Sequence, residues 1–286
     1  MEQVLGVIGG SGLYEVEGLS DVEELEVTTP YGPPSSPLVV GSLAGCRMVF
    51  LARHGRGHTL LPSEVPYRAN VYALKSLGVR WVISMSAVGS LREDIEPGDF
   101  VVVNQYLDRT KNRKGTFFGS GCVAHVSFGQ PACPRLSEMT AEASEKEGRT
   151  RRGGTYICME GPAFSTLAES EFYRGLGAHV VGMTNLPEAK LAREAELAYT
   201  TLAMVTDYDC WRTHEEPVTV ETVLKTLNRN ALRGRRVLTH LAAALGTFEG
   251  SVEAHTALDA ALMTHRDAIP AETRERLGIL LDRVLS

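Results

Sequence analysis

Short apolar runs alternate with helical periods along most of this chain. Val4–Ile8, Arg47–Ala52, Arg80–Met85, Phe100–Asn104, Gly154–Met159, Ala178–Gly182 and Ala198–Val205 read as buried strands. Val65–Gly78, Thr166–Gly175, Pro187–Leu197 and Val218–Leu245 carry apolar residues at helical spacing. Strands alternating with helices bury both sheet faces, and this predicts an α/β fold with a central mixed β-sheet flanked by helices. No internal repeat or linker divides it, so residues 1–286 are expected to form a single domain, with 247–286 a C-terminal helical tail.

The ends of the strands carry the chemistry. Val4–Ile8 runs into Gly9-Gly10-Ser11-Gly12, a turn in which backbone N–H groups and the Ser11 hydroxyl can close around an anion. The dinucleotide fingerprint fails there, because Glu15 stands where its last glycine belongs. Leu38–Val40 and Arg47–Ala52 form a hairpin-like pair that ends in Arg53-His54-Gly55-Arg56-Gly57-His58. A guanidinium fork and imidazole donors beside glycines suit a phosphate; a solvated basic loop is the plainer alternative. Arg80–Met85 leads into Ser86-Ala87-Val88-Gly89-Ser90, read as a second hydroxyl-and-glycine turn, and Ala178–Gly182 leads into Met183-Thr184-Asn185.

The last strand ends in Val205-Thr206-Asp207-Tyr208-Asp209-Cys210-Trp211. On an extended chain, side chains at i and i+2 share a face, so Asp207 and Asp209 are expected to reach one ligand at a strand end, where α/β sheets bind ligands. Taken alone, a solvated acidic turn would explain them. With the other strand ends on the same side of the sheet, one pocket would hold an anion cradle and two carboxyl groups.

Composition narrows the class. The net charge of −6 argues against a nucleic-acid surface, though a local basic site can still bind an anionic small molecule. The five cysteines are scattered with no C-x-x-C, which suits reduced thiols in the cytoplasm. No apolar run is long enough for a membrane span, and no signal peptide is expected. No Cys or carboxylate at ligand spacing accompanies His54 and His58, so no metal site is expected. A lone histidine such as His125, in a polar, glycine-rich stretch from 108 to 153, is usually structural.

Over residues 4–245 the chain resembles the methylthioadenosine phosphorylases of the purine nucleoside phosphorylase family, trimeric type. The resemblance rests on Ile8–Leu13, Ala52–Arg56, Ala87–Arg92, Pro97–Asp99, Glu160–Pro162, Gly182–Glu188 and Thr206–Trp211. It implies a nucleoside phosphorylase-like fold and attack of orthophosphate on C1′ of methylthioadenosine, with no cofactor. It places phosphate among Ser11, Arg53, His54, Ser86, Ala87 and Thr184. Met183 lies against the ribose, Phe164 and Ser165 flank the base, and Asp207 and Asp209 face its N7 and N6 edge. Val220, Val223 and Leu224 would line the pocket of the methylthio group; plain helix core is the alternative for these. His125 matches a residue that reaches a neighbouring subunit's site, in a homotrimer or a dimer of trimers. The chain departs from the family at Ala163 and Leu167, where Arg is frequent, and at Ser11, where Thr is common.

The chemistry agrees with the resemblance. A departing purine needs a proton at N7, and a carboxylic acid kept neutral by its site can supply it. Asp207 is assigned that task. An ionised Asp209 only accepts hydrogen bonds, so it suits the amino group of a 6-aminopurine and opposes the carbonyl of a 6-oxopurine. The competing expectations are a phosphorylase for inosine and guanosine or methylthioinosine, a hydrolytic nucleosidase, and a nucleotide-binding protein without turnover.

Overall fold

The computed structural model describes residues 2–10, 15–212 and 220–285, the side chains at 220–225 and 227 excepted. Ser11 therefore lies outside the described residues, as do the side chains of Val220, Val223 and Leu224. Among the described residues, eleven strands form one mixed sheet. They are β1 Val4–Gly9, β2 Ser20–Leu25, β3 Leu38–Leu43, β4 Cys46–Ala52, β5 Trp81–Ser90, β6 Phe100–Val103, β7 Gln105–Arg109, β8 Thr150–Arg152, β9 Thr155–Met159, β10 Val180–Gly182 and β11 Ala198–Asp207. The α-helices are α1 Tyr67–Ser76, α2 Pro134–Glu145, α3 Leu167–Gly175, α4 Asn185–Glu194, α5 Val220–Gly246, α6 Ala271–Leu277 and α7 Asp282–Leu285.

The expected α/β architecture is present, with a mixed sheet at its centre. β3 and β4 make the antiparallel hairpin, and β4 passes to a parallel pairing with β1. β1 then pairs with the first half of β5, and β11 runs parallel to β5 along the other edge. One arm continues through β10, β9 and β7, the other through β6 and β8. β6 and β7 are separated only by Asn104, so the two arms converge.

β7 and β8 have no counterpart in the sequence reading, and three other departures have a plain physical reason. β2, among the described residues, is an edge strand paired with β3 alone and largely exposed along its length. With no buried face it shows no alternation, and its acidic side chains are what an edge strand carries to discourage further pairing. α2 lies inside the stretch read as polar and glycine-rich. Its buried face has only Leu136 and Met139 as large apolar residues beside Thr140, Ala141, Ala143 and Ser144, which leaves the apolar period weak. The turn expected at Ser86–Ser90 is instead the continuation of β5, held by β11 on one edge.

Two apolar layers pack on the sheet. On one, Val237, Leu238, Leu241, Ala242 and Leu245 of α5 meet Leu5, Phe50, Trp81 and Ile83. Gly234 lets α5 approach closely, since a Cβ there would stand 2.5 Å from Met85 Cε. On the other, α1 and α4 cover the sheet together with much of the tail. Asn70 is buried in α1, where Oδ1 accepts from the Ser35 N–H at 2.8 Å. The helical tail expected over 247–286 is broken into short pieces, the last of them interrupted at Gly278, whose φ of 46° no right-handed helix tolerates. The tail is fastened at His255, wedged between Arg80 and Trp81, and at Arg283, which bonds Glu196 through both nitrogens of a fork.

Candidate active site

A gap in the sheet makes the site. β1 accompanies β5 only as far as Ser84, and β10 joins the same edge only at Gly89. Between those points, among the described residues, no strand pairs with the edge of β5 at Met85–Val88. Ser86 is buried there, while Ala87 is exposed within an otherwise buried strand. Backbone N–H and C=O groups left unpaired at a sheet opening must find other partners, which makes such a place a ligand site. Arg53 and His54 follow β4, Met183 and Thr184 follow β10, and Asp207 ends β11 opposite Gly89. The structure thus gathers at one opening most of the strand ends singled out in the sequence.

Arg53 is 3% exposed, and its guanidinium faces the protein. Nε and Nη2 bond the carboxylate of Glu188 at 2.9 and 3.3 Å, Nη2 also donates to Ser84 Oγ at 2.6 Å, and Nη1 to the Met85 carbonyl at 3.3 Å. Burial works against its charge, and the Glu188 carboxylate more than reverses that, holding the guanidinium fully protonated. The fork expected to clamp a phosphate is therefore engaged internally. Among the described residues, one Nη1 N–H remains for a ligand. Glu188 lies 135 residues from Arg53, and nothing in the sequence pairs the two. Its other partner is Tyr199, whose hydroxyl donates to Oε1 at 2.8 Å. Asn185 Nδ2 bonds both Ser84 Oγ and the Tyr199 hydroxyl.

His54 departs from the expected imidazole donor. Its Nδ1 lies 2.9 Å from the Leu60 carbonyl, an acceptor, so Nδ1 carries the hydrogen. Burial, with Arg53 adding to it, pushes its pKa down to about 4. The neutral ring, stacked on His58 at 4.3 Å, offers a lone pair at Nε2 and can accept from a protonated phosphate oxygen.

Thr184 is buried at the start of α4, and its N–H approaches the Tyr156 hydroxyl at 3.5 Å. Met183 packs on Gly161, where a Cβ would stand 2.5 Å from its sulfur. Ser165 is half-buried and its carbonyl accepts from the Cys210 thiol at 3.2 Å; Phe164 is exposed.

Asp207 and Asp209 come together, by a different route from the one expected. The register of β11 shifts between Val205 and Asp207, a bulge that ends the strand. Asp209 then takes φ of 53°, so the pair is not two steps along one strand face. Instead the chain turns, and the Asp209 N–H donates to Asp207 Oδ1 at 2.8 Å. Thr206 Oγ1 lies 2.7 Å from Asp207 Oδ2 and 3.2 Å from the Val88 carbonyl. Gly89 faces both acids: a Cβ on it would stand 3.0 Å from Asp207 Oδ1 and 3.2 Å from Asp209 Cβ. Burial raises the pKa of Asp207 against the pull of Thr206 and the Asp209 N–H, and burial likewise raises that of Asp209. Two carboxyl groups biased toward the neutral form, beside an opening rich in hydroxyl and N–H groups, can exchange a proton with a bound base.

His125 is exposed in a loop that bridges to the tail, its N–H donating to the Ala261 carbonyl at 2.8 Å. Among the described residues no cluster of His, Cys, Asp and Glu could hold a metal ion, and no helix is long and apolar enough to cross a membrane.

Comparison with known proteins defines the class. The phosphorylase superfamily matches residues 4–243. The S-methyl-5′-thioadenosine phosphorylase of Thermosynechococcus vestitus is 52% identical over 289 residues, covering 100% of each chain. That of Geobacter sulfurreducens is 53% identical over 283 residues, 98% of this chain and 99% of its own. Among solved structures, a methylthioadenosine phosphorylase from an Antarctic soil metagenomic library superposes with a TM-score of 0.94 at 48% identity, covering 98% of this chain and 99% of the other. The Schistosoma mansoni methylthioadenosine phosphorylase bound to adenine gives 0.82 at 38% identity, covering 86% and 93%. The chain belongs to the phosphorylase superfamily and, within it, to the family of S-methyl-5′-thioadenosine phosphorylases.

Proposed function

We propose that the protein cleaves S-methyl-5′-thioadenosine with orthophosphate, giving adenine and S-methyl-5-thio-α-D-ribose 1-phosphate, as a pentosyltransferase of purine and methionine salvage. The observation that carries this reading is the pair of buried carboxyl groups, both with raised pKa, at the end of β11 beside the opening between β1 and β10.

Phosphate sits at the opening of the sheet, on Ser86, Ala87 and Thr184, with Ser11 and backbone N–H groups completing the cradle. Because Arg53 is largely neutralised by Glu188, neutral donors and the remaining Arg53 N–H orient the nucleophile. His54 accepts the hydrogen of a monoprotonated phosphate, which turns an unprotonated oxygen toward C1′. Met183 supports the ribose, and Phe164 and Ser165 the base. Protonated Asp207 donates to N7 as the glycosidic bond breaks, and ionised Asp209 accepts from the 6-amino group. Val220, Val223 and Leu224 of α5 supply an apolar pocket for the methylthio group. No cofactor or metal takes part, since orthophosphate is the second substrate and the purine leaves once protonated.

The protein acts in the cytoplasm as a homotrimer, with His125 reaching the site of a neighbouring subunit; its unpaired cysteines support a reducing compartment. Turnover of methylthioadenosine, adenosine, inosine and methylthioinosine, each with and without phosphate, tests the reading. Phosphate-dependent release of adenine from methylthioadenosine should be fastest. Faster release of hypoxanthine from inosine would move the assignment to the 6-oxopurine enzymes, and release without phosphate would make the protein a nucleosidase.

A further inference from the structure

We infer that Arg113, which lies in the loop after β7 and touches neither proposed substrate, is a positioning residue that joins the ribose wall of the pocket to its base wall. Its neighbours Asn112 and Lys114 are exposed, yet its own side chain is 2% exposed. Nη1 donates to the carbonyls of Met183 and Leu186 at 2.7 and 3.0 Å and meets the Tyr67 hydroxyl at 3.0 Å. Nη2 donates to the Glu160 carbonyl at 2.8 Å, and Nε to Glu160 Oε1 at 3.1 Å. Glu160 Oε2 is held in turn by the Lys111 N–H at 2.6 Å.

The placement of these acceptors gives the bonds their meaning. Met183 and Leu186 bracket Thr184, so the guanidinium fixes the backbone that aims the Thr184 N–H and hydroxyl. Glu160 opens the segment through Gly161, Pro162 and Phe164 to Ser165, the base wall. Gly161 and Met183 meet directly, and a side chain on Gly161 would strike the Met183 sulfur. One planar cation thus sets both walls at the point where they touch. An ammonium has three donors around one atom and cannot span acceptors on Glu160, Met183 and Leu186 together.

This inference rests on the proposed function, and its test separates the two. A cleft of about 200 Å³ has Tyr67, Arg68, Asn112, Arg113 and Lys114 in its lining, and truncation of Arg113 would extend it inward. It offers a route for chemical rescue. In Arg113→Ala, kcat/KM for methylthioadenosine should fall by about 100-fold. Millimolar guanidinium, far below denaturing concentration, should recover about tenfold of it, and ammonium none. Arg113→Lys, which keeps the charge and the packed stem, should lose about tenfold, with KM for phosphate rising because Thr184 is released. Wild-type kinetics in Arg113→Lys, or a folded Arg113→Ala that guanidinium does not revive, would overturn the assignment. If the wild type fails to turn over methylthioadenosine, the proposed function falls alone. Phosphate affinity of the wild type and Arg113→Lys, measured by calorimetry, then decides the positioning role: weaker binding by the variant supports it and equal binding refutes it.

Discussion

The backbone N–H of Asp209 donates to Oδ1 of Asp207 at 2.8 Å, so the two acids of the site are unequal. Asp207 has an oxygen occupied by its partner's backbone and another beside the Thr206 hydroxyl. The Asp209 carboxyl gives nothing back to that bond: the Ser170 and Ser165 side chains act on it, and its Oδ2 is buried without a hydrogen-bond partner among the described residues.

Replacement of Asp207 by Asn keeps the acceptor for the Asp209 N–H and removes the transferable proton. We expect kcat on methylthioadenosine to fall by about 10²–10⁴-fold with the protein folded. Steady-state kinetics at saturating phosphate check this, and a rate within a few-fold of wild type would reassign the general acid.

Thr206 holds down the pKa of Asp207 by donating to it. Thr206→Val keeps the shape and removes the donor, so the acid should retain its proton to higher pH. The limb of kcat/KM that requires protonated Asp207 should move toward alkaline pH. An unshifted or acid-shifted limb in the pH profile would contradict the arrangement.

Glu188 and Arg53 are 2% and 3% exposed. Removing one partner leaves the other charge buried without compensation. Glu188→Ala should cost about 3–5 kcal/mol of stability, read from urea unfolding, and raise KM for phosphate as Arg53 is released.

His255 reports on the tail. Its Nε2 meets the Arg80 carbonyl at 3.1 Å and Nδ1 accepts from the Arg80 guanidinium at 2.9 Å, which fixes the neutral tautomer. Burial, then Arg80, pushes its pKa down to about 4 from 6.5. A depressed pKa gives stability that is present above the unfolded value and lost as pH falls through the folded one. Between about pH 6.5 and 4, urea midpoints should fall less steeply in His255→Gln than in the wild type. Equal slopes would show that His255 does not titrate in this way.

Much of the fold and site was legible because local pattern and global structure agree. β1, β4, β9 and β11 have buried faces long enough to show as apolar runs, and Arg53 and Asp207 lie at the ends of β4 and β11 as those runs predict. β2 and α2 were hidden because one buries no face and the other buries mostly small and polar residues. Arg113 looked like one basic residue among Arg109, Lys111 and Lys114, and only its loss of solvent exposure sets it apart.

By itself the sequence determined the α/β class, the strand ends that carry polar groups, and the presence of two acids a residue apart. Those are consequences of periodicity and residue type, which are local. Tertiary structure alone decided which groups remain for a ligand. Glu188 takes the guanidinium fork of Arg53, Leu60 takes the hydrogen of His54, and a left-handed turn at Asp209 ties the two acids through a backbone N–H. Each hydrogen bond consumes a donor or acceptor that residue type only makes available, and its partner lies far along the chain or in a backbone conformation that no pattern announces.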